Sequence, residues 1–264
     1  MSERLVFGAR KYIAFSMMVA RWLSYRPSIV DPVCYVTMGG TEMFDALALA
    51  WVNERLVSSV VSYEQDRNRF RLALATAESI RKLGIDVEVR QDDYFTYRRH
   101  TAGTNIYYVD LLGTLGNAQY YDVFRNWFVD EVILPGDLIL ITSYLGRNKG
   151  WERVLRAYEQ EFRFLKVSGL AERKEMYAAV YPGFVLRRGL QALGLDRELR
   201  LDCLGHIRYR DTSPMGLYGF VCEEGVTDLA TMVCNVRQFN CNSVGAGVAP
   251  ERLVSARRPE HSDE

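Results

Sequence analysis

The sequence VCYVTMGG at residues 33–40 decides the fold. Its first five residues are apolar, aromatic or β-branched, which is typical of a buried strand. Two glycines follow and let the chain turn, and the segment from Thr41 to Leu56 is predicted to be a helix. A strand, a glycine turn and a helix make the first half of a βαβ unit, which is the repeating unit of parallel sheets.

The same alternation of short strand-like runs and longer helical runs continues downstream. It predicts strands at 57–63, 85–89, 106–109 and 138–142, and helices at 67–83 and 120–132. Two later strands, 203–209 and 217–222, flank a turn at 211–214 and should form an antiparallel hairpin at the sheet edge. The predicted fold is therefore α/β, a doubly wound, mainly parallel sheet with a terminal antiparallel hairpin.

Three regions divide the chain. Residues 1–30 contain a predicted helix that buries one face, and we take them as an N-terminal helical extension. Residues 31–225 form the Rossmann-like domain, with a helical insertion at about 147–199 because the helical pattern there is longer than one crossover needs. Residues 226–264 form a C-terminal extension whose tail, from about Ala246, should be frayed.

Composition excludes several classes of protein. The 264 residues carry 33 basic and 33 acidic side chains, so the chain is not a globally basic nucleic-acid coat. A hydrophobic content of 48% with only 7 prolines excludes a disordered chain. The 5 cysteines are scattered and odd in number, and only 3 histidines join them, which argues against a disulfide framework and against a metal site.

The apolar run at 12–20 is the only feature that imitates a targeting segment. It is too short to span a membrane, and no small-residue cleavage site follows it before Arg26-Pro27. We therefore expect a cytoplasmic protein without a membrane partner. The same apolar helix could pack on its own sheet or on a second copy, which leaves a homo-oligomer open.

Polar residues follow each predicted strand, where open parallel sheets bind their ligands. Gly39-Gly40 would let a ligand approach the backbone. Glu64 could accept hydrogen bonds from a ribose, or be a solvated carboxylate near a helix start. Asp92 or Asp93 could meet the amine of an adenine, and Asp110 ends a strand that is otherwise apolar.

This ordered set resembles the class I S-adenosylmethionine-dependent methyltransferases, over roughly residues 33–224. The resemblance implies the cofactor S-adenosyl-L-methionine and a set of residues that would bind it. Its methionine part would lie against the glycine turn, its ribose on the acid after the second strand, its adenine on the acids after the third, and its methyl group beside the fourth. In that order these residues are Met38, Gly39 and Gly40; Glu64; Asp92 with Asp93 as the alternative; and Asp110 with Leu111.

Two departures from the family pattern leave a second function open. The family usually has an acid two positions before its first glycine, where this chain has Thr37, and a third glycine is missing because Glu42 and Met43 follow Thr41. The chain is thus expected to be either an active methyltransferase or a methyltransferase-like binding or scaffold subunit that has lost catalysis.

The acceptor stays unidentified, with a slight preference for nucleic acid. Asp110 could take up the proton or charge that develops on an acceptor, or it could only order the cofactor loop. The cluster Arg98, Arg99 and His100 would bind a phosphate or carboxylate of the acceptor. Four tyrosines nearby could stack on bases, but ordinary packing is the favoured interpretation: Tyr94, Tyr97, Tyr107 and Tyr108.

Two further patterns carry less weight. His206 lies inside a predicted strand and is expected to be a satisfied core residue rather than a base. Lys11, Asp110, Lys149 and Glu223 occur in the order of the Lys-Asp-Lys-Glu set of ribose 2′-O-methyltransferases. Thr142 stands where that set would place a lysine at the fifth strand, so we interpret the match as coincidental.

Overall fold

A computed structural model describes most of the predicted sheet domain. The described residues are 3–26, 33–38, 40–53, 56–99, 101–110, 118–144, 199–210, 214–226 and 239–240, with some positions between 183 and 198. Most of the predicted insertion and the whole tail from Ala246 lie outside them. Within these ranges, no cluster of metal-binding side chains and no helix long and apolar enough to cross a membrane is found.

Eight strands and four helices have described bounds. The strands are β1 (Val33–Thr37), β2 (Val57–Tyr63), β3 (Asp86–Arg90), β4 (Asn105–Asp110), β5 (Leu138–Tyr144), β6 (Leu199–Arg210), β7 (Pro214–Glu224) and β8 (Phe239–Asn240). The helices are α1 (Glu3–Tyr25), α2 (Phe44–Val52), α3 (Arg67–Arg81) and α4 (Ala118–Val129), and a short 3₁₀ turn covers Tyr94–Thr96.

The strands form one sheet in the order β3-β2-β1-β4-β5-β7-β6-β8. Strands β1 to β5 are parallel to one another, β7 runs antiparallel between β5 and β6, and β8 pairs parallel with β6. The predicted doubly wound sheet with an antiparallel hairpin is therefore confirmed. β8 was not predicted, and it extends the sheet beyond the hairpin.

Each face of the sheet carries its own apolar core, because successive side chains of a strand point to opposite faces. In β1, Tyr35 packs in the core that α1, α2 and α3 cover, whereas Cys34 and Val36 pack in the core that α4 covers. We call these the α1 face and the α4 face. The loop after β3 contributes Tyr94 and Tyr97 to the α4 face.

Helix α1 runs across its face from one edge of the sheet to the other. Phe15, Met18 and Trp22 on its inward side are fully buried. Lys11 reaches the end of β4, and Arg26 lies 3.6 Å from Glu223 near the opposite edge. This helix therefore supplies a large share of the core on its face.

The ends of two helices show what glycine can and cannot signal. Gly84 follows α3 with φ 85°, the left-handed conformation that its sequence position predicts. Helix α2 begins at Phe44 rather than at Thr41, because Met43 takes φ 46° and no helix continues through a left-handed residue.

Cys34 and Cys222 are buried thiols, but Cys203 is disulfide-bonded, which the scattered cysteines did not predict.

Candidate functional site

The strand order reverses between β1 and β4, and this reversal opens a crevice outside their carboxyl ends. Met38 and Gly40 follow β1, and Asp110 ends β4, so all three lie beside the crevice. Because β2 and β3 run parallel to β1, Glu64 and Asp92 lie at the same edge. Two other residues predicted for this site, Gly39 and Leu111, are outside the described residues.

The turn after β1 is held by a helix from further along the chain. Gly40 has φ 147°, a conformation that side chains rarely adopt, so this glycine is required by the backbone itself. Thr76 of α3 donates its hydroxyl to the Thr41 carbonyl at 2.6 Å, and Met43 precedes α2 without any side-chain cap. The turn is therefore fixed against α3, and Gly40 and Thr41 are half-buried.

Beneath this turn lies an acid that sequence reasoning missed. Asp45, in the first turn of α2, is 5% exposed, and its Oδ2 accepts the hydroxyls of Tyr35 at 2.6 Å and Thr37 at 2.7 Å. Burial, with the charge of Asp45, raises the pKa of Tyr35 far above its usual value, so Tyr35 donates as a neutral phenol. The available sequence signal was an acid in the helix that follows a strand ending in threonine.

The two expected adenosine contacts differ in how accessible they are. Glu64 is half-buried, and its carboxylate accepts the Asp66 amide at 3.0 Å. Asp93 accepts the Phe95 amide at 3.0 Å and so caps the 3₁₀ turn, whereas Asp92 is exposed. Asp92 is thus better placed than Asp93 to meet a ligand, and the roles of all three stay predictions.

Asp110 is bound on both of its oxygens. Lys11 of α1 donates its ammonium to Oδ2 at 2.5 Å, and Thr142 of β5 donates its hydroxyl to Oδ1 at 2.5 Å. The Lys11 nitrogen also lies 5.6 Å from the centre of the Tyr108 ring. Sequence reasoning missed Lys11 as a partner, because the two residues are 99 positions apart.

The Lys-Asp-Lys-Glu set does not assemble around Asp110. Glu223 lies two residues beyond Val221, which pairs with Leu138 at the start of β5. Its place is therefore at the amino edge of the parallel strands, opposite Asp110, while Lys149 lies outside the described residues. The interpretation of that sequence match as coincidental agrees with this geometry.

The predicted acceptor-binding arginines also lie at the amino edge, which corrects that expectation. Arg99 donates to Asp137, the residue before β5, at 2.6 Å, and its side chain is 10% exposed. Arg98 pairs with Asp130 after α4 at 3.2 Å. Both side chains are therefore held away from the crevice, and His100 is outside the described residues.

A buried polar network explains why Arg99 is held there. Asp137 is fully buried and also accepts the amides of Asn105 at 2.8 Å and Leu134 at 2.8 Å. Burial raises the pKa of Asp137 to about 6, while the Arg99 guanidinium acts against that rise. The network joins the loop after β3 to the starts of β4 and β5.

The tyrosines near this loop pack in the cores. Tyr94, Tyr97, Tyr107 and Tyr108 are all buried, and the first three form edge-on or tilted contacts within the α4 face. They offer no open ring for a base to stack upon. The favoured packing interpretation is thereby confirmed.

His206 is buried as predicted, but it is not satisfied. Its ring stacks on Tyr218 with centroids 4.3 Å apart and planes 4° apart, and its Nε2 finds no hydrogen-bond partner among the residues that the structure describes. Burial, with the nearby charge of Arg208, lowers the pKa of His206 to about 3. The imidazole is therefore neutral near pH 7. It lies just below the level of the carboxyl ends of the parallel strands.

Comparisons with known proteins give likeness of fold alone. No family model and no curated protein matches the sequence. Among solved structures, the chain is similar to the candidate methyltransferase yhhF from Escherichia coli, with a TM-score of 0.43, 12% identity, and coverage of 80% of this chain and 86% of that chain. An rRNA methylase from Streptococcus thermophilus gives a TM-score of 0.42 at 12% identity, covering 86% and 98%.

A third structure is the S-adenosylmethionine-dependent methyltransferase SibL, with a TM-score of 0.41 at 17% identity, covering 81% of this chain and 56% of that chain. Likeness at this level decides nothing by itself. The strand order, the reversed β7 and the helices on both faces are features of this chain's own sheet. They give it the class I methyltransferase fold.

Proposed function

We propose that this protein is an S-adenosyl-L-methionine-dependent methyltransferase whose cofactor lies across the carboxyl ends of β1 to β4. One observation carries the proposal: the glycine turn after β1 and Asp110 of β4 flank the crevice at the reversal of strand order. Glu64 would hold the ribose, and Asp92 the adenine. Met38 and Gly40 would contact the methionine part.

The proposed chemistry asks little of side chains beyond placement. Methyl transfer needs the acceptor atom about 3–3.5 Å from the methyl carbon, and correct positioning supplies much of the rate. Asp110 would then take up the charge or proton that develops on the acceptor. Lys11 and Thr142 fix the orientation of that carboxylate, so it would not need to reorganise during the reaction.

Nucleic acid is the acceptor class we favour. Arg67, Arg69 and Arg71 are exposed in the first turns of α3, beside the crevice. Within the described part of the chain, their side chains form no ion pair or hydrogen bond. Basic residues are unfavourable at a helix amino end, and an approaching phosphate backbone would relieve that repulsion.

Thermal unfolding with S-adenosylhomocysteine tests the proposal. A ligand at 100 times its Kd stabilises the folded state by about 2.7 kcal/mol, so the wild-type midpoint should rise with ligand concentration. Glu64→Ala should remove most of that rise without changing the midpoint in the absence of ligand, since the side chain is half-exposed. Asp86→Ala is the matched control, because Asp86 is an exposed acid at the far end of β3.

The control variant should respond to ligand as the wild type does. A wild type that shows no ligand-dependent rise would contradict the proposal and favour the alternative, a methyltransferase-like scaffold subunit. A rise that Glu64→Ala leaves intact would instead remove Glu64 from the site.

A further inference from the structure

Asp45 is a buried carboxylate that lacks a cation. In the described part of the chain, no Lys, Arg or His nitrogen lies within ion-pairing distance of it. Its two hydrogen bonds come from the neutral hydroxyls of Tyr35 and Thr37, and both reach the same oxygen. A buried charge with neutral partners alone is costly, and the amino end of α2 offsets only part of that cost.

Two further buried hydroxyls, on the strands beside Thr37, have no hydrogen-bond partner among the described residues. Thr37 pairs in register with Ser62 of β2 on one side and with Tyr108 of β4 on the other. Ser62 is 0% exposed and Tyr108 is 2% exposed, yet within the described part of the chain neither the Ser62 Oγ nor the Tyr108 Oη forms a hydrogen bond. Register partners in parallel strands lie side by side with their side chains on the same face, so Ser62 and Tyr108 lie on either side of Thr37 on the α1 face.

The raised pKa of Tyr108 reflects, besides burial, an electrostatic interaction with Asp45. Burial is the main cause that raises it well above its usual value, and the charges of Asp110 and Asp45 contribute. This part of the α1 face thus combines the negative charge of Asp45 with two buried hydroxyls, those of Ser62 and Tyr108, that bond to no described residue. Unsatisfied buried polar groups are rare, and two of those found among the described residues belong to the register neighbours of Thr37, which bonds to Asp45.

We propose that Asp45 binds the α-ammonium group of the cofactor's methionine part, a role that rests on the proposed function. The site lies at the end of β1, where the glycine turn meets the amino end of α2. Of the two cationic groups of S-adenosylmethionine, only the ammonium carries N–H donors, and it matches a carboxylate flanked by hydroxyl oxygens. Lys11 does not compete for Asp45, because its ammonium is bound to Asp110.

This assignment also accounts for Thr37. The strand lacks the acid that the resemblance leads one to expect, and the missing charge is supplied from α2, eight residues further on. Thr37 then orients the carboxylate instead of providing it. Asp45 is therefore a cofactor-binding residue, and Thr37 a positioning residue.

Calorimetric titration with two ligands tests the assignment. The ligands are S-adenosylhomocysteine and its desamino analogue, which keeps the carboxylate but lacks the ammonium. The wild type should bind the first at least about 10-fold more tightly, as expected for a charge-assisted hydrogen bond. Asp45→Asn should weaken S-adenosylhomocysteine by about 10- to 100-fold and the analogue by less than about twofold.

Ser62→Ala keeps the test decisive if Asp45→Asn does not fold. The Ser62 hydroxyl bonds to none of the residues that the structure describes, so its removal should leave the fold intact and weaken the binding of S-adenosylhomocysteine several-fold but not that of the analogue. Equal wild-type affinity for the two ligands, or equal weakening of both by Asp45→Asn, would overturn the assignment. A wild type that binds neither ligand would overturn the proposed function itself.

Discussion

At the scale of single residues, His206 shows how burial changes the chemistry of a side chain. Its Nε2 has no hydrogen-bond partner in the described part of the chain, and a Cβ at Gly216 would lie 2.6 Å from that nitrogen. Glycine at this position of β7 therefore makes room for the imidazole stacked on Tyr218. The ring is held neutral because burial lowers its pKa to about 3, below the usual 6.5.

That lowered pKa predicts a pH dependence of stability. The unfolded chain takes up a proton on His206 as the pH falls below 6.5, whereas the folded chain does not until about pH 3. The contribution of this group is thus present at pH 7 and is lost progressively as the pH falls, by roughly 2 kcal/mol at pH 5.

Urea unfolding of the wild type and of His206→Gln at pH 7 and pH 5 measures this effect. The wild type should lose about 2 kcal/mol more of its unfolding free energy between the two pH values than the variant does. Other titrating groups are common to both proteins and cancel in the comparison. Identical losses in both would show that His206 is protonated in the folded state.

At the scale of elements, the chain between β3 and β4 serves both edges of the sheet. It leaves the carboxyl edge with Asp92 and reaches the amino edge with Arg99, which bonds to Asp137 and to the carbonyls of Thr101 and Val132. A basic pair beside a histidine looks the same in sequence whether it lies at the carboxyl ends or at the amino ends of the strands. The sequence alone could not show that the loop crosses the sheet before it reaches Arg99.

The variant Arg99→Met tests the observed role of Arg99, pairing with Asp137, against the predicted role of binding the acceptor. It would leave the fully buried Asp137 without its cation, which typically costs about 3–5 kcal/mol of unfolding free energy. Arg98→Met is the matched control, since its ion pair with Asp130 is largely exposed and should cost less than about 1 kcal/mol. Equal unfolding midpoints for the two variants in urea would contradict this account.

Elements with uniform patterns were the ones that sequence predicted well. β1 and β2 match their predicted bounds, because both are short runs rich in valine and tyrosine without an internal glycine or proline. β6 and β7 extend beyond theirs, since their charged ends, such as Arg210 and Glu224, pair in register although they look like loop residues. The start of α2 was missed because nothing in the sequence marks Met43 as left-handed.

At the scale of the whole molecule, topology predicted one half of the candidate site and tertiary packing supplied the other. Glu64, Asp92 and Asp110 come to one edge because their strands are parallel, and that follows from the βαβ pattern. Lys11 and Asp45 come from helices that pack onto the sheet. Their contacts depend on helix position, which spacing along the chain does not encode.

Helix α1 packs against both strands that flank the crevice, β1 and β4. We therefore predict that residues 1–30 cannot be separated from the sheet. Phe15 of α1 is 1% exposed, and its ring packs edge-on against two tyrosines. The ring centroids are 5.8 Å apart for Tyr35 on β1 and 5.0 Å apart for Tyr108 on β4. These strands flank the crevice of the proposed site. A change at Phe15 should therefore weaken the whole fold and not α1 alone.

Phe15→Ala should lower the unfolding free energy by about 3–5 kcal/mol, the usual cost of removing a buried phenylalanine, while urea unfolding keeps a single transition. Ile13→Ala on the same helix is the matched control, because Ile13 is 44% exposed and its loss should cost less than about 1 kcal/mol. Circular dichroism and tryptophan fluorescence should report coincident midpoints in both variants. If Phe15→Ala instead unfolds in two separate steps, or costs no more than Ile13→Ala, α1 is an appendage and the sheet folds without it.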